Sequence, residues 1–276
     1  MHLPRRNMPD SILDQIVASV RERLAVKRRE IHESDLKDCP LFHRDTYSLA
    51  DALRQDQLAI IAEVKKASPS QGIIRDDFYP EEHSAAYEEA GAEAISVLTE
   101  PDFFQGHLDH LQAARESVGI PLLRKDFIID PYQIFEARAH GADAVLLIAT
   151  LLGRSQLDEL WWAADECGMD SLIELHDDSE LDHVDMDRVT ILGVNNRDLQ
   201  TFEIDSDLAT RILSRVPDHI VRIAESGFKT GEDLRRISQA GIDAVLIGET
   251  FMRAENPGQC LSELRERAFS DSNEQA

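Results

Sequence analysis

An α/β chain closed into a (β/α)8 TIM barrel, with an N-terminal helical extension, is the architecture that three features of this sequence predict. Short apolar or β-branched runs alternate with helical patterns from about Leu58 to the C-terminus, eight of each. The runs are near-continuously apolar, as in a parallel sheet covered on both faces by crossover helices. Eight such units in about 210 residues suit a closed barrel better than an open doubly wound sheet.

The 276 residues, 42% of them hydrophobic, can bury one large core. Residues 8–30 carry Ile12, Ile16, Val20 and Leu24 four apart, the stripe of an amphipathic helix. Such a helix caps the barrel, contacts another subunit or covers the catalytic mouth, and its pattern alone does not choose. The extension is placed at 1–50, the barrel at 51–270 and an acidic, disordered tail at 271–276.

Strands are predicted at 58–64, 94–98, 121–125, 144–148, 171–175, 190–194, 220–224 and 244–247. Helices are predicted near 80–90, 105–117, 131–140, 154–167, 177–184, 205–214, 230–240 and 257–268. The phrases Ala90-Gly91-Ala92, His140-Gly141-Ala142 and Ala240-Gly241-Ile242 place Gly at helix C-termini and mark helix-to-strand turns.

A net charge of −24 argues against a nucleic-acid or anionic-membrane surface, because phosphates are repelled over most of the protein. An anionic substrate therefore needs a local site. Only six of the 29 basic residues are Lys, three of them in strand-end motifs, and for Lys65 and Lys125 this points to use as shiftable amines. The acidic, Lys-poor composition also suggests a saline host. Cys39, Cys167 and Cys260 have no C-x-x-C spacing and read as reduced thiols. The N-terminus lacks a secretory pattern, and no segment reaches the roughly 18 apolar residues of a membrane span. A soluble, cytoplasmic protein is expected, as a monomer or weak homo-oligomer.

In such a barrel the active site is assembled at the C-terminal ends of the strands. The run Ile60-Ile61-Ala62-Glu63-Val64-Lys65-Lys66-Ala67-Ser68-Pro69-Ser70 puts Glu63 and Lys65 on one face of a buried strand and sends Lys66 the other way. Burying that acid and base costs several kcal/mol unless they are paired. The other ends carry Thr99-Glu100, Arg124-Lys125-Asp126, Glu174 with His176, Asn195-Asn196-Arg197-Asp198, Glu225-Ser226-Gly227 and Gly248-Glu249-Thr250. One such charge is ordinarily a solvated loop residue. Seven charged endings are not, and two lysines among glutamates shift one another's pKa toward proton-transfer chemistry.

Ser226-Gly227-Phe228 and Gly248-Glu249-Thr250 fit a phosphate site built from backbone N–H groups, to which Ser68 adds a hydroxyl. The plainer reading is tight turns. His107-x-x-His110 has metal spacing but sits in a polar helix and reads as a solvated face. Trp161-Trp162 reads as one ring packed on the barrel. No G-x-G-x-x-G or Walker motif implies a nucleotide cofactor.

Taken together, the chain resembles the indole-3-glycerol-phosphate synthase family from about residue 10 to 268. The motifs that carry the resemblance are Ile61-Ala62-Glu63-Val64-Lys65-Lys66-Ala67-Ser68-Pro69-Ser70, Leu123-Arg124-Lys125-Asp126-Phe127-Ile128 and Ile173-Glu174-Leu175-His176. Gly193-Val194-Asn195-Asn196-Arg197-Asp198-Leu199 and Ala224-Glu225-Ser226-Gly227 complete them. The resemblance implies ring closure, decarboxylation and dehydration of 1-(2-carboxyphenylamino)-1-deoxyribulose 5-phosphate, without metal or cofactor.

It implies Lys125 as general acid, Glu174 as general base or acid in the dehydration, and Lys65 at the substrate carboxylate or as the acid for hydroxyl departure. Glu63, Asn195 and Glu225 would hold the lysines and substrate hydroxyls, with Arg197 at the carboxylate side. Ser68, Ser226, Gly227, Gly248 and Glu249 would cradle the phosphate, and Phe104, Phe127, Leu146 and Leu199 enclose the aromatic ring. Two departures are Gln71, where many relatives carry Lys, and Phe228, where Ile is common. The residues alone leave open a sugar-phosphate isomerase, a Schiff-base aldolase using Lys125 or Lys65, or a silent scaffold barrel.

Overall fold

A computed structural model describes residues 11–270. The tail expected at 271–276 and the start of the helix expected at 8–10 lie outside the described residues. Eight parallel strands close into a barrel: β1 (Ala59–Val64), β2 (Ala94–Leu98), β3 (Leu122–Lys125), β4 (Ala144–Ile148), β5 (Asp170–Leu175), β6 (Ile191–Asn195), β7 (Val221–Glu225) and β8 (Ala244–Ile247). β1 pairs with β2 through Ile61 and Ala94 and with β8 through Ile61 and Leu246, which closes the ring.

Alternation along each strand divides the apolar residues into two layers. Ile60, Ala62 and Val64 of β1 pack outward against the helices, while Ala59 and Ile61 fill the barrel interior. Leu122 and Leu123 of β3 divide the same way. This parity carries Glu63, Lys65 and Lys125 into the mouth, and it turns Arg124 toward the helices.

Most predicted helices recur, and the exceptions have local causes. The helix expected at 105–117 is two: Pro101–Phe104 and Leu108–Ser117. Between them Gln105 has φ +51°, and a Cβ on Gly106 would stand 2.5 Å from the carbonyl oxygen of Leu98, so the chain breaks there. The segment expected at 177–184 is a 3-10 turn, Asp178–His183, in which Glu180 folds back to accept the N–H of His176 at 2.7 Å.

The N-terminal segment serves both ends of the barrel. Helix α1 (Ile12–Glu30) buries Ile16, Val17, Val20 and Leu24 and lies beside the loops after β2 and β3. Its Lys27 meets Glu136 at 2.6 Å and its Arg28 meets Asp130 at 2.8 Å. The chain then passes to the opposite end, where Thr46 bonds the carbonyl of Gly168 and the N–H of Ala50 bonds Asp170. There Leu49 and Leu53 plug the floor of the interior. Helix α1 thus lies at the mouth end of the barrel, while the segment after it closes the floor.

Candidate active site

Lys125 stands at the centre of the mouth. Its Nζ lies 2.9 Å from Oε2 of Glu174 on β5 and also donates to Oε2 of Glu225 on β7. Burial opposes the ammonium, but Glu174, Glu225 and Glu63 outweigh it and raise the Lys125 pKa well above its ordinary value. The two carboxyls respond in opposite senses. Burial pushes Glu225 up to about 8, with the charge of Glu174 adding to the shift. Burial also acts to raise Glu174, yet Lys125 and His176 overrule it and hold that carboxyl down at about 2. One carboxyl is ionised and its neighbour carries a proton near neutrality, the division of labour that acid and base chemistry needs.

A second pair lies beside this one. Lys65 Nζ is 2.5 Å from Oε1 of Glu63, both on the inward face of the chain at the end of β1. Gly248 makes room for it, since a Cβ there would stand 2.2 Å from the same Glu63 oxygen. Lys66 does not line the cavity. Its carbonyl instead takes the N–H groups of Ile74 and Arg75, which closes the loop after β1.

The two rims of the mouth differ in character. On one side Ser226 and Gly227 have φ of +66° and +93°, and Gly248 precedes the short helix Glu249–Met252. Ser68 faces them from the two-stranded ladder formed by Ala67–Ser68 and Gly72–Ile73. On the other side Phe104 and Phe127 pack with ring centres 6.0 Å apart. Phe104 is set by buried Glu100, which accepts three successive N–H groups from residues 102 to 104 and a 3.0 Å bond from Arg23 of α1. Helix α1 therefore braces the aromatic rim.

All sixteen residues to which the resemblance assigns a role line this one cavity, while the strand-end residues Thr99, Glu100, Arg124, His176, Asn196 and Asp198 stand outside it. The sequence model described as indole-3-glycerol phosphate synthase matches residues 13–264. The chain belongs to that family.

It is 51% identical over 268 residues to the indole-3-glycerol phosphate synthase of Salinibacter ruber, covering 96% of this chain and 99% of the relative. It is 47% identical over 256 residues to that of Desulfotalea psychrophila, covering 92% and 98%. Among solved structures, (S)-3-O-geranylgeranylglyceryl phosphate synthase from Thermoplasma acidophilum superposes with a TM-score of 0.57 at 13% identity. That alignment covers 81% of this chain and 99% of the other, a likeness of fold alone.

Within the family's motifs, side-chain contacts refine several expectations. Asn195 holds neither lysine, and its Oδ1 accepts the N–H of Arg197 at 3.1 Å. The Arg197 guanidinium lies 3.4 Å from the Glu249 carboxylate, on the Ser226 and Gly248 side of the mouth. Gln71 accepts a 2.8 Å bond from Arg253, which places a cation on that rim. His107 caps the helix Leu108–Ser117 through Nδ1, and the His110 ring packs on Phe78. Trp161 packs on the core while Trp162 is exposed beside Arg188.

The cavity has further lining residues. Leu98 and Ile148 end β2 and β4, so the strand-end rule finds them once it is applied to apolar residues. Phe202 and Ile204 come from the loop after β6, where Phe202 has φ +60° and the bridge between Arg197 and Ile204 folds the loop over the mouth. No periodicity marks them in the sequence.

Proposed function

We propose that this mouth performs the family reaction with its roles divided between the two lysine pairs. The family's activity makes the chain a carbon–carbon lyase of tryptophan biosynthesis that acts on a phosphorylated small molecule. The substrate, 1-(2-carboxyphenylamino)-1-deoxyribulose 5-phosphate, closes its ring with loss of CO2 and water to give indole-3-glycerol phosphate. The observation that carries the assignment of roles is the Lys125 ammonium set between one ionised and one protonated carboxyl.

Lys125 donates to the ketone oxygen as the ring carbon attacks, and its fixed charge stabilises the developing oxyanion. Glu174, ionised and 2.9 Å from Lys125, serves the later dehydration as base. Lys65, held by Glu63, meets the substrate carboxylate or the departing hydroxyl. Glu225 orients Lys125 and the Glu174 charge keeps it protonated, which disfavours a Schiff base at this lysine because that chemistry needs the neutral amine. Asn195 positions Arg197. Ser68, Ser226, Gly227, Gly248 and Glu249 hold the phosphate, the last two through backbone N–H groups, while Phe104, Phe127, Leu146 and Leu199 enclose the ring.

Within the extension, the described residues 11–50 serve the barrel at 51–270 as brace and floor. Among the described residues no helix is long and apolar enough to cross a membrane. The protein acts in the cytoplasm, and its net charge of −24 opposes tight self-association, in keeping with a monomer or weak homo-oligomer. Incubation with the anilinic ribulose phosphate, followed by indole fluorescence, tests the reading. Stoichiometric indole product supports it, and none at micromolar enzyme overturns it.

A further inference from the structure

The phosphate site proposed above draws on backbone N–H groups, so the direction of each peptide plane there decides whether an anion is held. Every peptide bond among the described residues is trans, and a trans peptide points its N–H opposite its own carbonyl. A group that fixes the carbonyl therefore aims the N–H.

The turn after β7 is fixed in this way. Ser226 and Gly227 both stand at positive φ, +66° and +93°, and for Ser226 this is a conformation that L side chains rarely adopt. Such a turn needs holding. Asn196, the residue after β6, donates from Nδ2 to the carbonyl of Ser226 at 3.2 Å. The Thr250 hydroxyl donates to the carbonyl of Phe228 at 2.7 Å, and Oδ2 of Asp233 accepts the N–H of Lys229 at 3.0 Å. Between these anchors the N–H of Gly227 meets no acceptor among the described residues, and Gly227 lines the cavity.

Asn196 is itself locked in place. It is 2% exposed, stands outside the cavity and has a partner for each of its polar atoms. Its Oδ1 accepts the N–H of Ala209 at 3.0 Å, its N–H goes to the carbonyl of Glu225 at 3.0 Å, and its carbonyl takes the N–H of Asp205 at 2.9 Å. These partners settle the amide orientation, because a carbonyl needs the Nδ2 donor and an N–H needs the Oδ1 acceptor. One buried side chain ties β6, the helix Leu208–Leu213 and the turn after β7. With Asn196 behind the turn and the cavity before it, the Gly227 N–H faces the mouth.

We infer that Asn196 and Thr250 are positioning residues for the substrate phosphate: by fixing the carbonyls of Ser226 and Phe228 they keep the N–H of Gly227 aimed at it. The inference deepens the substrate reading above and rests on it. Neither side chain gives or takes a proton in the reaction.

The test compares Asn196→Ala and Thr250→Val with the wild-type enzyme. Inorganic phosphate is titrated against each by phosphorus NMR, and kcat and KM are measured with the anilinic ribulose phosphate and with its dephosphorylated form. Asn196→Ala is expected to weaken phosphate binding and raise KM for the phosphorylated substrate by about tenfold, as for loss of a hydrogen bond to a charged group, with kcat within about twofold. Thr250→Val, which keeps the side-chain shape at a half-buried position, moves both by about threefold and decides the matter where Asn196→Ala does not fold. Turnover of the dephosphorylated substrate stays at the wild-type level in both variants. Equal losses of kcat/KM with both substrates mark a merely structural role and overturn the inference, as does a phosphate affinity that neither folded variant changes. If phosphate binding shifts as expected while the wild-type enzyme makes no indole, the substrate reading fails and the anchored phosphate turn stands.

Discussion

Both ends of this barrel bury charge, and they do so to opposite effect. At the floor, Asp143 is fully buried and both of its oxygens are used: Oδ1 by Arg44 at 2.6 Å and the N–H of Tyr47, Oδ2 by Arg115 and the N–H of Leu122, each at 2.8 Å. At the mouth, Glu225 is as deeply buried, but besides Lys125 it meets a second carboxyl, Glu174, to which it bonds only by sharing a proton. Its Oε2 shares Lys125 with Glu174. The desolvation cost is similar at both ends. A network in which every acceptor meets a donor holds the fold, and one in which two carboxyls share a proton is poised to move it.

Removing a charge at each end separates these roles most sharply. Lys125→Ala is expected to lower kcat by about 10²–10⁴ with a modest change in KM and little change in unfolding midpoint, measured by indole fluorescence and urea titration. Retained turnover would put the acid elsewhere in the mouth. Asp143→Ala does the reverse, costing about 3–5 kcal/mol of stability by stranding Arg44 and Arg115, with kcat per folded molecule unchanged. Urea unfolding that shows a loss below about 1 kcal/mol would remove the floor network from its structural role.

The mouth should also carry a pH signature that the floor lacks. Because Glu225 is raised from 4.5 to about 8, the folded state binds a proton there that the unfolded chain has lost. Its contribution to stability is complete below pH 4.5 and is lost as pH rises through about 8. Unfolding free energy is therefore expected to fall by roughly 1 kcal/mol or more across that window, and Glu225→Gln to flatten the profile. An identical slope in the variant would assign the proton to another group.

The smallest effect concerns the surface between the two ends. Raising KCl from 0.1 to 1 M shortens the screening length from about 10 to about 3 Å and weakens the self-repulsion of a chain with net charge −24. The melting midpoint is expected to rise by about 2–4 °C, the equivalent of roughly 1 kcal/mol. A midpoint that stays flat or declines would remove the saline reading of the composition.

Much of this contrast is legible along the chain, for a local reason. Burial on both faces makes the strands read as apolar runs, so β1 to β8 fall within a residue or so of their predicted limits. The period of two then fixes that Lys65 and Lys125 turn inward while Arg124 turns out, where it meets Thr99, Asp126, Gln133 and Glu136. Helix boundaries were less legible where a side chain competes with the backbone, as Glu180 does in the turn after β5.

By itself, then, the sequence determined the strands, the inward set of charged strand ends and the family to which they belong, because each rests on the type and spacing of near neighbours. Only the tertiary structure decided which charges meet. Lys125 joins Glu174 and Glu225, 49 and 100 residues away, while Glu63 keeps Lys65. It also decided that one N-terminal segment braces the mouth and floors the barrel. Those pairings follow from strand tilt and register around a closed ring, and they set which carboxyl keeps its proton.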